Sequence, residues 1–389
     1  MPETADVIVV GAGVQGASLA FHLAERGLAV LVFERESVAA GATGRSSGFV
    51  RMHHDLRTDA ELAWASFPYF VDWAGRVGSG DCGFVRTGFL QLVPASLDGS
   101  LRANVAMHQD IGIDTRVVEG PDVVDLVPGI VPDGVSAAAY EPRSGYADPS
   151  GTAAGFIAAA RARGARIAQH RRAVAVLVEG DRVVGVETEA GRHAAPVVVD
   201  AAGAWAAEVA ATAGVDVPVQ PWRHDTAYFG LPDGRRTDFP IVIDEPNEVY
   251  FRPEGDALML VGLEGGNVVG GSPDRLIGLR DGAVEEMIER VCRRVPWMSA
   301  GTLRTAHGGQ DGITPDQHAI IGPAGPAGFY LACGFSGTGF KTAPAVGRAL
   351  SEWIVDGRPA TVDLSGYTLD RFVTGRTLAG EHPYGVLWR

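Results

Sequence analysis

Two glycine-rich stretches and one lone lysine carry the residue types and spacings that could do chemistry in this chain. Gly11-Ala12-Gly13-Val14-Gln15-Gly16 has the spacing G-x-G-x-x-G. Gly11 permits a tight turn, Gly13 lets a pyrophosphate approach the backbone, and Gly16 allows close helix–strand packing. The unpaired N–H groups where Val14 and Gln15 open a helix would receive the anion. Glu34, at the end of the next apolar run and followed by Arg35, supplies a carboxylate that accepts hydrogen bonds from ribose hydroxyls and repels a 2′-phosphate. Near the other end, Gly334-Phe-Ser-Gly-Thr-Gly-Phe-Lys341 is a second bare loop. Gly334, Gly337 and Gly339 would let a flat ring pass close to the backbone. Lys341 closes that loop, and all the other cations among the 33 Lys and Arg residues are arginines.

The elements that must position these groups follow from hydrophobic periodicity. Asp6–Gly11 and Ala29–Phe33 read as buried parallel strands, and Val14–Arg26, apolar at helical spacing and stopped by Gly27, as the helix between them. Together they form a βαβ unit, whose crossover is right-handed. Residues 41–48 are small and polar, hence a loop. Ala60–Trp73, Thr152–Arg163, Ala283–Val295 and Lys341–Val355 read as helices. Phe84–Val93 alternates like a strand pair. Val174–Val178 and Val183–Thr188 form a hairpin, and Pro196–Ala201 and Gly328–Cys333 are further strands. Thr226–Phe229, Ile241–Ile243, Val249–Arg252 and Leu258–Val261 succeed one another with no long helix between them, which predicts an antiparallel sheet. The expected fold class is α/β: a Rossmann-like cofactor domain from residues 1–80, 145–215 and 306–389, interleaved with an antiparallel-sheet α+β substrate domain from 81–144 and 216–305.

Composition narrows the function. The chain has 389 residues with 46% hydrophobic and 21% charged side chains, which suits a folded, multi-domain protein. The formal net charge of −14 repels phosphate backbones and argues against a nucleic-acid partner. No stretch approaches the roughly 20 apolar residues of a membrane span. Three scattered cysteines, Cys82, Cys292 and Cys333, make neither a disulfide framework nor a zinc site. With an acidic start and no signal-peptide core, the expected location is the cytoplasm.

Four segments together resemble the flavin-dependent amino-acid and amine oxidoreductases of the D-amino-acid oxidase, sarcosine oxidase and glycine oxidase family. They are Gly11–Gly16 with Glu34-Arg35; Gly41–Arg51 (GATGRSSGFVR); Gly191–Trp205, ending in Val-Val-Asp-Ala-Ala-Gly-Ala-Trp; and Thr314-Pro-Asp316 … Ile320-Ile-Gly322 … Gly334–Lys341. The resemblance spans nearly the whole chain and is weakest at 217–305. It implies FAD, held by Gly11, Gly13, Val14, Gln15, Gly16, Glu34 and Arg35. The loop residues Thr43, Gly44, Arg45, Ser46, Ser47 and Gly48 would join them, with Val174, Ala202, Gly203 and Trp205. Gly334, Ser336, Gly337, Thr338, Gly339, Phe340 and Lys341 would complete the cofactor site. The helix beginning near Lys341 would aim its positive end at the reduced ring. The implied reaction takes a hydride from the carbon beside nitrogen in a secondary or N-methylated amino acid, or a related amine, and delivers it to flavin N5. The imine product would hydrolyse.

On the substrate side, the resemblance makes Lys341 a carboxylate anchor and brings Arg51 to the active site. Tyr250 and Arg252 share one face of a strand, as in family members where a Tyr-x-Arg pair borders the site; a plain sheet-face pair is the other reading. His307, Tyr228 and His224 are weaker candidates. Asp311 departs from the family, whose members carry an arginine or tyrosine there. It could pair with a substrate ammonium, accept a proton or face away into a loop. Residues 308–313 lack the cysteine, and 41–48 the histidine, through which some relatives attach flavin, so FAD is expected to bind non-covalently. Residues 217–305 hold no lysine of the kind related oxidases use toward O₂. A dehydrogenase that passes electrons to a partner or quinone is therefore an alternative, as is a non-catalytic flavin-binding subunit.

Overall fold

A computed structural model describes residues 4–264, 268–275 and 278–384. The opening βαβ unit forms as the periodicity predicts. Val7–Val10 and Val30–Phe33 are fully buried parallel strands, joined by the helix Val14–Glu25. They lie in a six-stranded sheet whose order, from one edge to the other, is Ile320–Pro323, Phe329–Cys333, Val197–Asp200, Val7–Val10, Val30–Phe33 and Arg166–Ala168. All neighbours are parallel except the edge strand Ile320–Pro323. Parallel strands need both faces covered. The helices Val14–Glu25, Pro149–Ala162 and Gly339–Asp356 cover one face, packed through Ala17, Ala20, Ala159, Ala160 and Ala349. A second buried cluster, including Val183, Val186, Ala206 and Ala210, covers the other.

Small residues bring two of these helices unusually close. A Cβ on Gly347 would stand 2.3 Å from Ser18 Oγ. Ser18 Oγ donates to the Ala343 carbonyl at 2.8 Å, and Gln15 Nε2 to the Gly339 carbonyl at 2.7 Å. The first and last long helices are thereby fixed together, although more than 300 residues separate them in sequence. Their N-termini consequently open on the same side of the sheet.

The second large sheet has eight strands, in the order Thr302–Ile313, Gln220–Gly230, Leu258–Leu263, Val249–Glu254, Ile241–Asp244, Phe89–Val93, Ala137–Glu141 and Arg116–Val118. It is antiparallel apart from one parallel pair, Phe89–Val93 with Ile241–Asp244. Its outer face buries Phe229, Phe239, Phe251 and Met259 under the helix Ala283–Arg294, through Met287 and Val291. Burial of such side chains stabilises the fold by about 1.5–3 kcal/mol each. The fold is thus the expected α/β one: a Rossmann-like domain interleaved with an antiparallel-sheet domain. The strand Thr302–Ile313 runs across residue 306.

Several local expectations need correction. Phe84–Val93 is not a paired hairpin. Val85–Arg86 joins a small sheet with Gly145–Tyr146 and Phe49–Val50, while Phe89–Val93 enters the eight-stranded one. The chain bends between them at Gly88, whose φ is 83°. The helix expected at Ala60–Trp73 begins earlier, at Arg57, and ends at Val71. The helix Asp98–Ile111 had no counterpart in the sequence reading, although Leu101, Asn104, Val105 and His108 are buried on one face. The long strand Thr302–Ile313 was also unforeseen; Gly308, Gly309 and Gly312 mask its alternation.

Candidate active site

The first turn is built by steric necessity. Gly11 has φ 103°, and a Cβ there would lie 2.5 Å from the Ala201 carbonyl oxygen. A Cβ on Gly16 would lie 2.1 Å from the Gly11 carbonyl oxygen. At Gly13 the only neighbour would be Thr43 Oγ1, at 3.2 Å. Gly11 and Gly16 are therefore glycines for packing against backbone, whereas a Cβ on Gly13 would press on a single side-chain oxygen. No side chain caps the helix at Gly13, and its first turn carries no acidic residue. Thr43 Oγ1 accepts from the Val14 N–H at 2.9 Å, which locks the loop 41–48 over the turn. Glu34 takes the Ala12 N–H on one oxygen and the Glu36 N–H on the other, each at 2.8 Å.

These groups line a cavity of ≈ 720 Å³ that passes from the six-stranded sheet to the eight-stranded one, a volume within the usual range for cofactor sites. Gly11, Gly13, Val14, Gln15, Glu34 and Arg35 form its first wall, and Thr43, Arg45, Ser46 and Ser47 its second. Val174, Ala202, Gly203 and Trp205 also line it, as do Gly337, Gly339 and Phe340 at the second glycine loop. The far end is closed by Tyr250, Thr226, His224, His307 and Asp311 from the eight-stranded sheet.

The remaining expected residues lie outside the lining. Gly16, Gly44 and Gly48 are packing glycines: a Cβ on Gly44 would meet the Ala39 carbonyl oxygen at 2.6 Å, and one on Gly48 that of Ala147 at 2.3 Å. At Gly334, φ 65°, a Cβ would lie 2.5 Å from Thr314 Cγ2. Ser336 Oγ accepts the Thr314 N–H at 3.2 Å, and Thr338 Oγ1 donates to the Phe335 carbonyl. These three shape the hinge. Arg252 is a strut. Its Nε donates to the Ser47 carbonyl at 2.7 Å, its Nη1 pairs with Glu254 at 2.5 Å, and its guanidinium covers the Tyr146 ring at 4.1 Å. Arg51 and Lys341 are buried and do not belong to the lining.

Around the hinge the polar groups are mutually arranged. Asp311 accepts from the Gly337 N–H through Oδ2 at 2.8 Å and from the Gly312 N–H through Oδ1 at 2.7 Å. Burial nevertheless raises its pKa. The helix Gly339–Asp356 starts there with no side-chain cap and no acidic residue in its first turn, so its positive end faces the cavity. Lys341 Nζ donates to the Gly337 carbonyl at 3.3 Å. Burial drives its pKa well below the lysine range, with Arg51 adding to the effect and Asp59 and Asp311 opposing it. Arg51 stacks over Phe89 at 5.4 Å, and its Nε has no partner among the described residues. His307 Nε2 lies 3.0 Å from Thr226 Oγ1, and burial lowers its pKa. Burial alone takes His224 down to about 3.

Some lining residues were not foreseen. Asp274 holds Arg35 at 2.6 Å and the Trp205 indole N–H at 2.9 Å, while the Arg35 guanidinium sits over Trp205 at 4.7 Å. Thr226 was missed because its neighbour His307 lies on another strand. No short-range pattern links these residues.

A family model, DAO, described as FAD dependent oxidoreductase, matches residues 6–353. The chain belongs to this family of FAD dependent oxidoreductases. FAD is accordingly its expected cofactor, and the bare Gly13, the uncapped helix ends and Glu34 fit it. Among curated relatives of this FAD oxidoreductase, human mitochondrial sarcosine dehydrogenase is 30% identical over 98% of this chain and 43% of the relative. The formaldehyde-forming 4-methylaminobutanoate oxidase of Paenarthrobacter nicotinovorans is 28% identical over 96% of this chain and 46% of the relative. The chain thus spans less than half the length of both. Among solved structures, L-proline dehydrogenase from P. horikoshii is similar with a TM-score of 0.89 and 25% identity, covering 96% of this chain and 99% of that one. Among the described residues no helix of this FAD oxidoreductase is long and apolar enough to cross a membrane.

Proposed function

We propose that this chain oxidises a secondary or N-methylated amino acid, or a related amine, at the carbon beside nitrogen. One observation carries the reading. The cavity that begins at the dinucleotide turn ends between the Gly337–Gly339 hinge and Tyr250, and the buried Lys341 donates to the Gly337 carbonyl of that hinge. FAD, when bound, supplies the two-electron acceptor for the C–H bond. The protein's part is binding, orientation and electrostatics.

Gly13, Val14 and the loop at Thr43–Ser47 would hold the pyrophosphate, and Glu34 the ribose. Gly337 and Gly339 would let the ring lie flat against the backbone. Asp311, by holding the Gly337 N–H, keeps that hinge in one conformation. The positive end of the helix Gly339–Asp356 favours negative charge beside the hinge. Lys341 and Arg51 would attract a substrate carboxylate, and Tyr250 would bound the amine side. The His307 imidazole, beside Thr226 on the cavity wall, would accept a proton from a substrate ammonium. The amine must lose that proton before its lone pair can assist the oxidation. Water then hydrolyses the imine to a carbonyl compound and the shorter amine.

The names of the relatives support this class. They are described as acting on sarcosine, dimethylglycine and 4-methylaminobutanoate. We read the FAD as non-covalent: among the described residues no cysteine lines the cavity, although His224 and His307 do. For the electron acceptor, the absence of lysine from 217–305 and the dehydrogenase relatives favour a partner or quinone as the second reading beside O₂. We also place the chain in the cytoplasm, a location its three free thiols support, and assign the two domains to the boundaries read from the sequence, except at 306, where the strand Thr302–Ile313 stays whole in the eight-stranded sheet. Anaerobic flavin bleaching across a panel of amino acids and N-methyl amines tests the reaction. Failure of every amine to reduce the flavin would overturn it. Peroxide released on readmitting air distinguishes O₂ from another acceptor.

A further inference from the structure

Away from the cavity lining, three buried side chains converge from different elements. His53 follows Arg51 in the loop, His108 lies on the helix Asp98–Ile111, and Glu141 ends the strand Ala137–Glu141. Each offers one ligating atom, and these atoms lie within 4.8 Å of one another. The residues are 1%, 0% and 0% exposed. We propose that His53, His108 and Glu141 bind one divalent transition-metal ion of the zinc type, which clamps the loop behind Arg51 to the eight-stranded sheet.

The hydrogen bonds around the three residues support the assignment. His108 Nε2 lies 2.7 Å from the His54 carbonyl oxygen. A carbonyl only accepts, so the ring proton sits on Nε2 and leaves a bare lone pair on Nδ1. The His54 N–H donates toward the same nitrogen at 3.2 Å, and the shorter carbonyl contact is the one that assigns the proton. His53 Nε2 lies 2.7 Å from Tyr384 Oη. Glu141 Oε2 accepts from Ser144 Oγ at 2.6 Å and from the Met52 N–H at 3.0 Å. That leaves His53 Nδ1, His108 Nδ1 and Glu141 Oε1, and none of these buried atoms has a partner among the described residues. A buried polar atom without a partner costs about 1–3 kcal/mol, so three together call for a common occupant. Metal-bound histidines characteristically donate their second ring N–H to a carbonyl or similar acceptor, as His108 does.

The ligand chemistry selects the ion. Two imidazoles and a carboxylate suit zinc or a similar borderline metal rather than magnesium or calcium, which prefer oxygen. Zinc–nitrogen bonds of about 2.0–2.1 Å put tetrahedral ligands about 3.4 Å apart, inside the 4.8 Å within which the ligating atoms lie. A water would complete the coordination. The site is structural and does not enter the proposed reaction; its ion would offset the Glu141 charge, one of those acting on Arg51.

The test uses the flavin-loaded protein after chelator dialysis. One equivalent of Zn²⁺ per chain should bind and raise the melting temperature, and Co²⁺ should give visible d–d bands that Zn²⁺ abolishes. X-ray absorption at the zinc edge should show two imidazoles. Glu141→Gln and His108→Gln should each weaken uptake at least tenfold while keeping flavin absorbance and circular dichroism. The wild-type spectrum decides the matter if either variant misfolds. No stoichiometric uptake, a spectrum without imidazole, or undiminished uptake in folded variants would overturn the proposal.

Discussion

Asp311 Oδ2 and the Gly337 N–H are joined by a 2.8 Å hydrogen bond. The Asp311 carboxylate therefore braces the glycine hinge, while still lining the cavity. Both its oxygens are engaged by backbone N–H groups, and a charged acceptor is worth about 1.5–3 kcal/mol. Asp311→Ala should loosen the hinge and slow flavin reduction roughly 10–100-fold, on the scale of a lost preorganised contact. Asp311→Asn keeps one acceptor and should lose less. Anaerobic stopped-flow reduction measures both; wild-type rates in Asp311→Ala would remove the hinge from the mechanism.

The glycines of the first turn separate cofactor loss from fold loss. At Gly13 an added Cβ would meet only Thr43 Oγ1, so Gly13→Val should purify folded and colourless. At Gly16 an added Cβ would collide with the Gly11 carbonyl, so Gly16→Val should express poorly or melt several degrees lower. Flavin absorbance per chain and the melting curve report the two outcomes separately.

Lys341 is buried beside Arg51 and the hinge. Lys341→Met should lower kcat/KM for carboxylated amines about 100-fold, roughly 2.7 kcal/mol of transition-state binding. It should change uncharged amines little. The fold should survive, because methionine fills a similar volume without a buried charge. An equal loss on both substrate types would show that the lysine acts on the hinge instead of on a carboxylate.

Stability should carry a pH signature from Asp200. Burial pushes its pKa up to about 8, against roughly 3.9 in an unfolded chain. The folded state holds this proton where the unfolded state has released it. Its contribution is therefore largest below about pH 4 and falls as the pH rises toward 8, levelling off beyond. Asp200→Asn should flatten that slope and raise the melting temperature at pH 8 relative to wild type. Parallel melting curves for the two proteins between pH 5 and 8 would contradict it.

What could be seen from sequence divides along physical lines. Gly11, Gly13 and Gly16 were legible because a short stretch of backbone dictates them, and the buried strands Val7–Val10 and Val30–Phe33 because their periodicity is local. The parallel pairing of Phe89–Val93 with Ile241–Asp244 was not, since no nearby residue encodes a partner so distant in the chain. Alternation along a strand puts Arg252 with Tyr250, but only the packed fold shows it turning to Ser47 and Tyr146 while Tyr250 reaches the cavity. Asp274 carried no motif at all; its contacts with Arg35 and Trp205 exist only once the sheets are assembled.

The bond from Arg252 to the Ser47 carbonyl ties occupancy at one end of the molecule to order at the other. The loop that would grip the pyrophosphate is the same loop on which the eight-stranded sheet leans. An empty protein should therefore be looser well beyond the vacant nucleotide groove, and filling that groove should shield distant strands from proteases that never come near it.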